Sequence, residues 1–308
     1  PSGDISNYTF PEIYQELVAL IRAEFGISSP QSIGTLADLF VFVVPNNIRH
    51  NAREIAWAPV GGVYFGILRE WVSSIQTLLH ELGHAYGLAH AYENGVELAD
   101  TSTVMGTAHR DVVKMCYNGQ NMWRNGWFVN RRREITKTPS KVETIELAFY
   151  GDYDKTSPDQ PVLIRIGPDI FLSYNRKIGV NAETQSHPDT LLVVQERMGR
   201  FHRYSELLVA LNEEDDAYVI RQNEDPISGN PFLVVIEVCN RTAAGDNEGP
   251  ETMFLTIGPI GGICPSKNKA TLAPVVEFPA TRSPTTIPPI PSTIPQDHRL
   301  QYHRYQVR

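Results

Sequence analysis

Apolar residues recur along this chain first at helical spacing and later at strand spacing. Over residues 10–25, Ile13, Leu17, Leu20, Ile21 and Phe25 make one stripe that Gly26 stops, which predicts a packing helix. Leu36 to Val44 is a nearly continuous apolar run ending at Pro45, the pattern of a buried, parallel strand. Gly61 to Leu68 predicts another strand. Just after it, Ser73 to Gln76 reads as a capping box. Ile75, Leu78, Leu79, Leu82 and Tyr86 then recur at helical spacing and are expected to face the core. Thr77, His80 and His84 fall on a different face. Asn118 to Trp127 predicts a short helix with Trp123 and Trp127 on one side, read as packing rather than binding.

Beyond residue 137 the period changes. Short β-rich runs follow one another: Glu143–Tyr150, Val162–Ile166, Ile170–Tyr174, Leu191–Glu196, Glu206–Leu211, Tyr218–Arg221, Phe232–Val238 and Met253–Ile257. Turn residues separate them, which predicts an all-β sandwich-like domain. From residue 276 the chain is Pro/Thr-rich and predicts a disordered tail. Arg131-Arg132-Arg133 reads as a solvated run at a domain junction. Glu213, Glu214, Asp215 and Asp216 read as a solvated turn, with calcium binding as the alternative.

Candidate chemistry sits on the polar face of the second helix, in His80-Glu81-Leu82-Gly83-His84-Ala85-Tyr86-Gly87-Leu88-Ala89-His90. Two histidines four residues apart lie above one another on a helix and can each give a nitrogen to one metal. Glu81 is one step round from His80, close enough to reach a water at that metal. Gly87 can take a positive φ and turn the chain back, so that His90 supplies a third nitrogen. Three protein ligands with a fourth position open is the arrangement of a catalytic zinc (Zn2+) site. Copper also binds three imidazoles tightly. The plainer reading is a helix with satisfied surface histidines. Chance gives five fixed positions in about one such chain in ten thousand on ordinary residue usage, which favours the metal.

HExxHxxGxxH followed by a methionine turn is the metzincin signature, and Met105 follows here within Thr101-Ser102-Thr103-Val104-Met105-Gly106. More narrowly, the chain resembles the gametolysin family of secreted metallopeptidases. The shared features are HELGHxxGLxH, Ser102-x-x-Met105-Gly106, Cys116-Tyr117-Asn118 and Trp123-x-x-Gly126-Trp127. The resemblance implies that His80, His84 and His90 bind zinc, that Glu81 is the general base, and that Met105 floors the metal. Gly87 is structural at the site. It implies an α/β (α+β) metzincin-type zinc-protease domain, here residues 1–136, followed by the all-β domain at 137–275 and the tail at 276–308. Only 72 residues precede Ser73, fewer than the resemblance implies, so the first domain is expected to be N-terminally truncated. In metzincins a strand near this position forms the sheet edge above the cleft, and extended substrate adds to it. Val63, Tyr64, Phe65, Gly66 and Ile67 are the expected edge. Thr107 stands where some metzincins carry a tyrosine that steadies the transition state. Tyr92 and Tyr117 are the candidates for that role, with packing as the alternative. His109 would be a ligand only if His90 were displaced.

The whole chain narrows the classes. Its 308 residues, 42% hydrophobic and 20% charged, suffice for one or two cored domains. A net charge of -8 argues against nucleic acid as the main partner. No apolar run approaches the ~20 residues of a membrane span. The sequence has no initiator methionine and no signal peptide, and is expected to be a mature form or a fragment. Cys116, Cys239 and Cys264 allow one bridge, expected as 239–264, with three thiols as the alternative. Asn7-Tyr8-Thr9 and Asn240-Arg241-Thr242 are glycosylation sequons. The expectation is a secreted, extracellular, monomeric zinc endopeptidase acting on a protein or glycoprotein of a matrix or cell wall. The alternative is a non-catalytic surface- or glycan-binding protein with a vestigial metal site. A zinc hydrolase acting on a non-peptide bond is a third reading.

Overall fold

The computed structural model describes residues 10–27, 37–46, 54–107, 109–212, 217–222, 232–242, 250–259, 264, 276–277 and 302–306. The first elements are α1 (Phe10–Phe25), β1 (Phe40–Val44), β2 (Glu54–Pro59), β3 (Tyr64–Leu68), α2 (Ile75–Ala85), β4 (Ala91–Glu93) and β5 (Val96–Glu97). Then come α3 (Gly119–Arg124), β6 (Arg132–Ile135), β7 (Glu143–Ala148), β8 (Leu163–Ile166), β9 (Ile170–Asn175), β10 (Thr190–Met198) and β11 (Arg203–Leu211). The last are β12 (Tyr218–Gln222), β13 (Phe232–Arg241), β14 (Thr252–Gly258), β15 (Val276–Glu277) and β16 (Tyr302–Gln306). The fold is mixed α/β, with several sheets and few helices. No described helix is long and apolar enough to cross a membrane. The chain splits into two compact units, one drawn from Pro1–Tyr117, Met198–Ser205 and Leu300–Arg308, the other from Asn118–Arg197 and Glu206–Arg299.

In the first unit a sheet runs in the order β1-β3-β2-β16. β1 lies parallel to β3, in register from Phe40 opposite Tyr64 to Val44 opposite Leu68. β2 runs antiparallel to β3 and to β16. Ile55, Ala56, Ala58, Phe65 and Ile67 form a buried cluster, against which Leu78 of α2 packs. Val44, Trp57 and Leu68 form a second, covered by Ile13 of α1. Gly66 is fixed by this packing, because a Cβ there would lie 1.6 Å from the Trp57 indole.

Three expectations for this region need correction. β3 lies between β1 and β2, and Tyr64–Leu68 is buried throughout, so Val63–Ile67 does not form a free edge for substrate. β2 carries no strand signal in the sequence, because its short Ile-Ala-Trp-Ala run lacks the alternation of a half-buried strand. β1 is parallel as expected but only half-buried, with Val41 and Val43 exposed, because it is the terminal strand of the described sheet. On α1, Val18 is buried whereas Leu20 and Phe25 face out, so the packed stripe is rotated from the expected one. Gly26 does end that helix, at φ 64°.

The second unit holds two sheets. In one, β9 pairs antiparallel with β8 and β10, and β6 pairs parallel with β8. The other has the order β15-β12-β13-β14-β7. Each β-rich run predicted between residues 143 and 257 is a strand here. Cys239 and Cys264 are bridged as expected. The three arginines are not a solvated run. Arg131 is buried, donating to the Gln160 carbonyl at 2.7 Å and to Tyr153 and Thr156. Arg132 stacks 4.5 Å from the Trp123 ring, and Arg133 pairs with Glu143. Trp127 lies beyond α3, past Gly126 at φ 76°, and is 40% exposed. Two short strands, β15 and β16, fall within the predicted tail. Asn7 and the acidic run 213–216 lie outside the described residues.

Candidate metal centre and active site

The site is built on α2, and both ends of that helix are fixed by local chemistry. Its N-cap is Ser74, one residue later than expected; the hydroxyl accepts from the Thr77 N–H at 3.4 Å. Gln76 closes no capping box. It donates to the Thr107 carbonyl at 3.3 Å and accepts from the His109 N–H at 2.7 Å, tying the helix to the segment after the methionine turn. At the other end Gly87 takes φ 83°. The Gly87 N–H reaches the His84 carbonyl at 2.9 Å and the Leu88 N–H reaches Gly83 at 3.0 Å, a Schellman arrangement. That reversal returns the chain to His90.

The three histidines converge, with ligand atoms within 4.8 Å of one another and all three side chains buried. Each ring is held through Nδ1. His80 Nδ1 meets the Val104 carbonyl at 2.8 Å, His84 Nδ1 the Leu88 carbonyl at 2.8 Å, and His90 Nδ1 the Glu97 carboxylate at 2.7 Å. An acceptor on Nδ1 places the proton there and the lone pair on Nε2. The Nε2 atoms of His84 and His90 lie 3.2 Å apart. Two lone pairs facing at that distance repel, and a cation between them removes the conflict. This donor set therefore fits a metal ion such as zinc, with Glu97 as the carboxylate behind one ligand.

Glu81 completes the arrangement. Its side chain is fully buried, and neither carboxylate oxygen has a hydrogen-bond partner among the described residues. Desolvation holds its carboxyl well above the usual carboxylate range, and a cation beside it acts in the opposite direction. An unpartnered buried carboxylate costs stability, so its burial on the residue after His80 asks for a chemical reason.

Beneath the helix lies the methionine turn. Met105 is fully buried, and a Cβ on Gly83 would sit 2.4 Å from its Sδ, so the helix approaches the methionine only through a glycine. The Val104 N–H donates to Cys116 at 2.9 Å while its carbonyl orients His80. The Met105 carbonyl accepts from the Ala91 N–H at 2.9 Å, which fixes the residue after His90. One turn thus positions His80 and the residue after His90.

Burial on α2 is the reverse of the expected pattern. Thr77, His80, Glu81 and His84 are buried, whereas Ile75 is 42% and Tyr86 58% exposed, and Leu78, Leu79 and Leu82 are half-buried. The methionine turn and the returning chain cover the polar face, and they supply the acceptors that make its burial tolerable. Tyr117 donates to the Leu79 carbonyl at 2.5 Å and is buried against Gly83, a packing role. His109 is exposed and lies outside the cluster. Tyr92 lies beside His90. It shares with His90 a cavity of about 120 Å³ whose far wall is Gly199 to Tyr204, a segment of the same compact unit. Sequence reasoning missed this segment and Glu97. An acidic residue seven positions past His90 carries no spacing signal, and residues 199–204 lie more than a hundred positions downstream.

Residues 12–142 match the family model described as Gametolysin peptidase M11, which supports a gametolysin-family metallopeptidase. No curated protein and no solved structure matches the chain.

Proposed function

We propose, from the match of residues 12–142 to the gametolysin peptidases, that this protein is a zinc-dependent endopeptidase. The observation that carries the reading is the pairing of three imidazoles, each locked through Nδ1 and converging through Nε2, with a buried carboxylate that the fold leaves without a hydrogen bond. His80, His84 and His90 hold the metal, and zinc suits three neutral imidazoles in a tetrahedral site. When bound, the metal acidifies water and polarises the scissile carbonyl. Glu81 accepts the proton of the attacking water and passes it to the leaving amine. Gly87 and Met105 set the positions of the ligands. Glu97 orients His90 and raises its basicity.

The parallel β1/β3 pair, the helix carrying HExxH and the buried methionine beneath it support a metzincin-type domain for the N-terminal part. The β-rich region that follows is read as an accessory sandwich for support or substrate recruitment. Secretion, and action as a monomer on extracellular or cell-wall glycoproteins, are part of the proposal. The Cys239–Cys264 bridge and the exposed Asn240 sequon support an oxidising, glycosylating compartment. The test is cleavage of a mixed protein substrate by the zinc-loaded chain. New internal termini that vanish in Glu81→Ala are the expected result; equal cleavage by the variant removes the assignment.

A further inference from the structure

The cavity beside His90 has a wall that the histidine motif does not provide. Met198–Ser205 belongs to the compact unit that carries the three histidines, although it lies beyond the family match at 12–142. The turn is tight, with the Gly199 N–H bonded to the His202 carbonyl at 2.9 Å. Tyr204 at its end packs 4.3 Å from Tyr92, the side chain two residues past the third ligand. His90, Tyr92, Glu97, Arg200, His202 and Tyr204 all line the cavity. Its volume of about 120 Å³ is well under the ~300 Å³ at which small-molecule pockets begin. It has room for one side chain of a longer substrate.

The chemistry of the wall is cationic. Arg197-Met198-Gly199-Arg200-Phe201-His202-Arg203 carries three arginines and a histidine in a chain of net charge -8. Arg197 is neutralised by Glu206. Arg200 has no carboxylate in reach among the described residues. Its guanidinium lies 4.9 Å from the Phe201 ring centroid, a cation–π contact between two exposed side chains. The Glu97 carboxylate lining the same cavity is engaged by His90 at 2.7 Å. The tyrosine pair gives an apolar flank for an aliphatic stem, and a guanidinium reads a carboxylate through two parallel hydrogen bonds.

We infer that the Gly199–His202 turn is the specificity wall of this site, and that Arg200 selects an aspartate or glutamate side chain close to the scissile bond. The inference rests on the endopeptidase reading for its setting. It makes residues 198–205 part of the working site.

Two measurements test it, both on the full chain loaded with zinc. In the first, a library of proteome-derived peptides is digested and the cut sites are read by mass spectrometry. Cut sites enriched in Asp or Glu within two residues of the bond are expected, and Arg200→Glu should abolish that enrichment. It should also lower kcat/KM on a Glu-containing decapeptide by about fivefold, the upper end for a solvent-exposed charge contact, with zinc content unchanged. No acidic enrichment in the parent, or the same enrichment in the variant, overturns the inference. In the second, labelled decapeptides differing only by Glu or Lys at one position are bound to the cleavage-blocked Glu81→Ala chain and read by fluorescence anisotropy. The Glu peptide should bind at least about fivefold tighter, and adding Arg200→Glu should invert the order. Equal binding of the two peptides by both proteins overturns the inference. If the parent cuts nothing while this preference holds, the endopeptidase reading fails and the acidic subsite stands.

Discussion

Glu81, Glu97 and His84 make separable contributions to the site, and three substitutions distinguish them. Glu81→Ala removes a carboxylate that holds nothing in place among the described residues. Metal stoichiometry should stay at one per chain while kcat falls by about 10²- to 10⁴-fold, the usual worth of a general base. Metal analysis and turnover of one peptide check both. His84→Ala removes a proposed ligand and should lose the metal together with activity; retained stoichiometric zinc would contradict the ligand role. Glu97→Gln keeps shape but weakens the anchor behind His90. Since Glu97 is 47% exposed, the loss should sit at the lower end of the 10- to 100-fold range for such anchors, about tenfold in zinc affinity. Competition with a chromogenic chelator reads it directly, and unchanged affinity would mean that Glu97 does not anchor the ligand.

At the scale of elements, the helix and its reversal were legible because they are local. Four-residue spacing places His80 and His84 on one face, and Gly87 has the freedom to reach φ 83°. Burial of that face was not legible. Its acceptors, the Val104 carbonyl, the Leu88 carbonyl and the Glu97 carboxylate, come from segments that the periodicity of α2 does not describe. The edge assignment for β3 failed for a related reason: the neighbour that occupies its other side, β2, has too short and too even an apolar pattern to read as a strand. The triple-arginine run was misread because the aromatic ring and carbonyls that receive it lie elsewhere in the chain. The contact between β2 and β3 yields its own prediction. Gly66→Ala drives a methyl into the Trp57 ring, and overpacking of this kind costs about 1–3 kcal/mol. The denaturant midpoint should fall accordingly, and a midpoint within error of the parent would refute the packing described here.

For the molecule as a whole, the metal should contribute stability as well as chemistry. Three buried imidazoles converge in the unit that also contains Met198–Ser205, with the buried Glu81 next to His80 in sequence. A ligand that binds only the folded state, at a thousandfold over its dissociation constant, adds about 4 kcal/mol. A strong chelator should therefore lower the melting temperature of the chain, and zinc should restore it. The same melt with and without chelator would mean that the histidines hold no metal in the folded protein. Strand content between residues 143 and 257 was readable from alternation and turn residues. The inclusion of residues 198–205 in the histidine-bearing unit was not, because chain proximity after folding leaves no periodic trace. The most direct test of the central claim is digestion of a mixed protein substrate by the purified, zinc-loaded chain beside its Glu81→Ala variant, with new termini read by mass spectrometry. The account predicts internal cuts made by the parent and absent from a variant that still carries its zinc; a folded, zinc-loaded parent that makes no cuts, or a variant that makes the same ones, would contradict it.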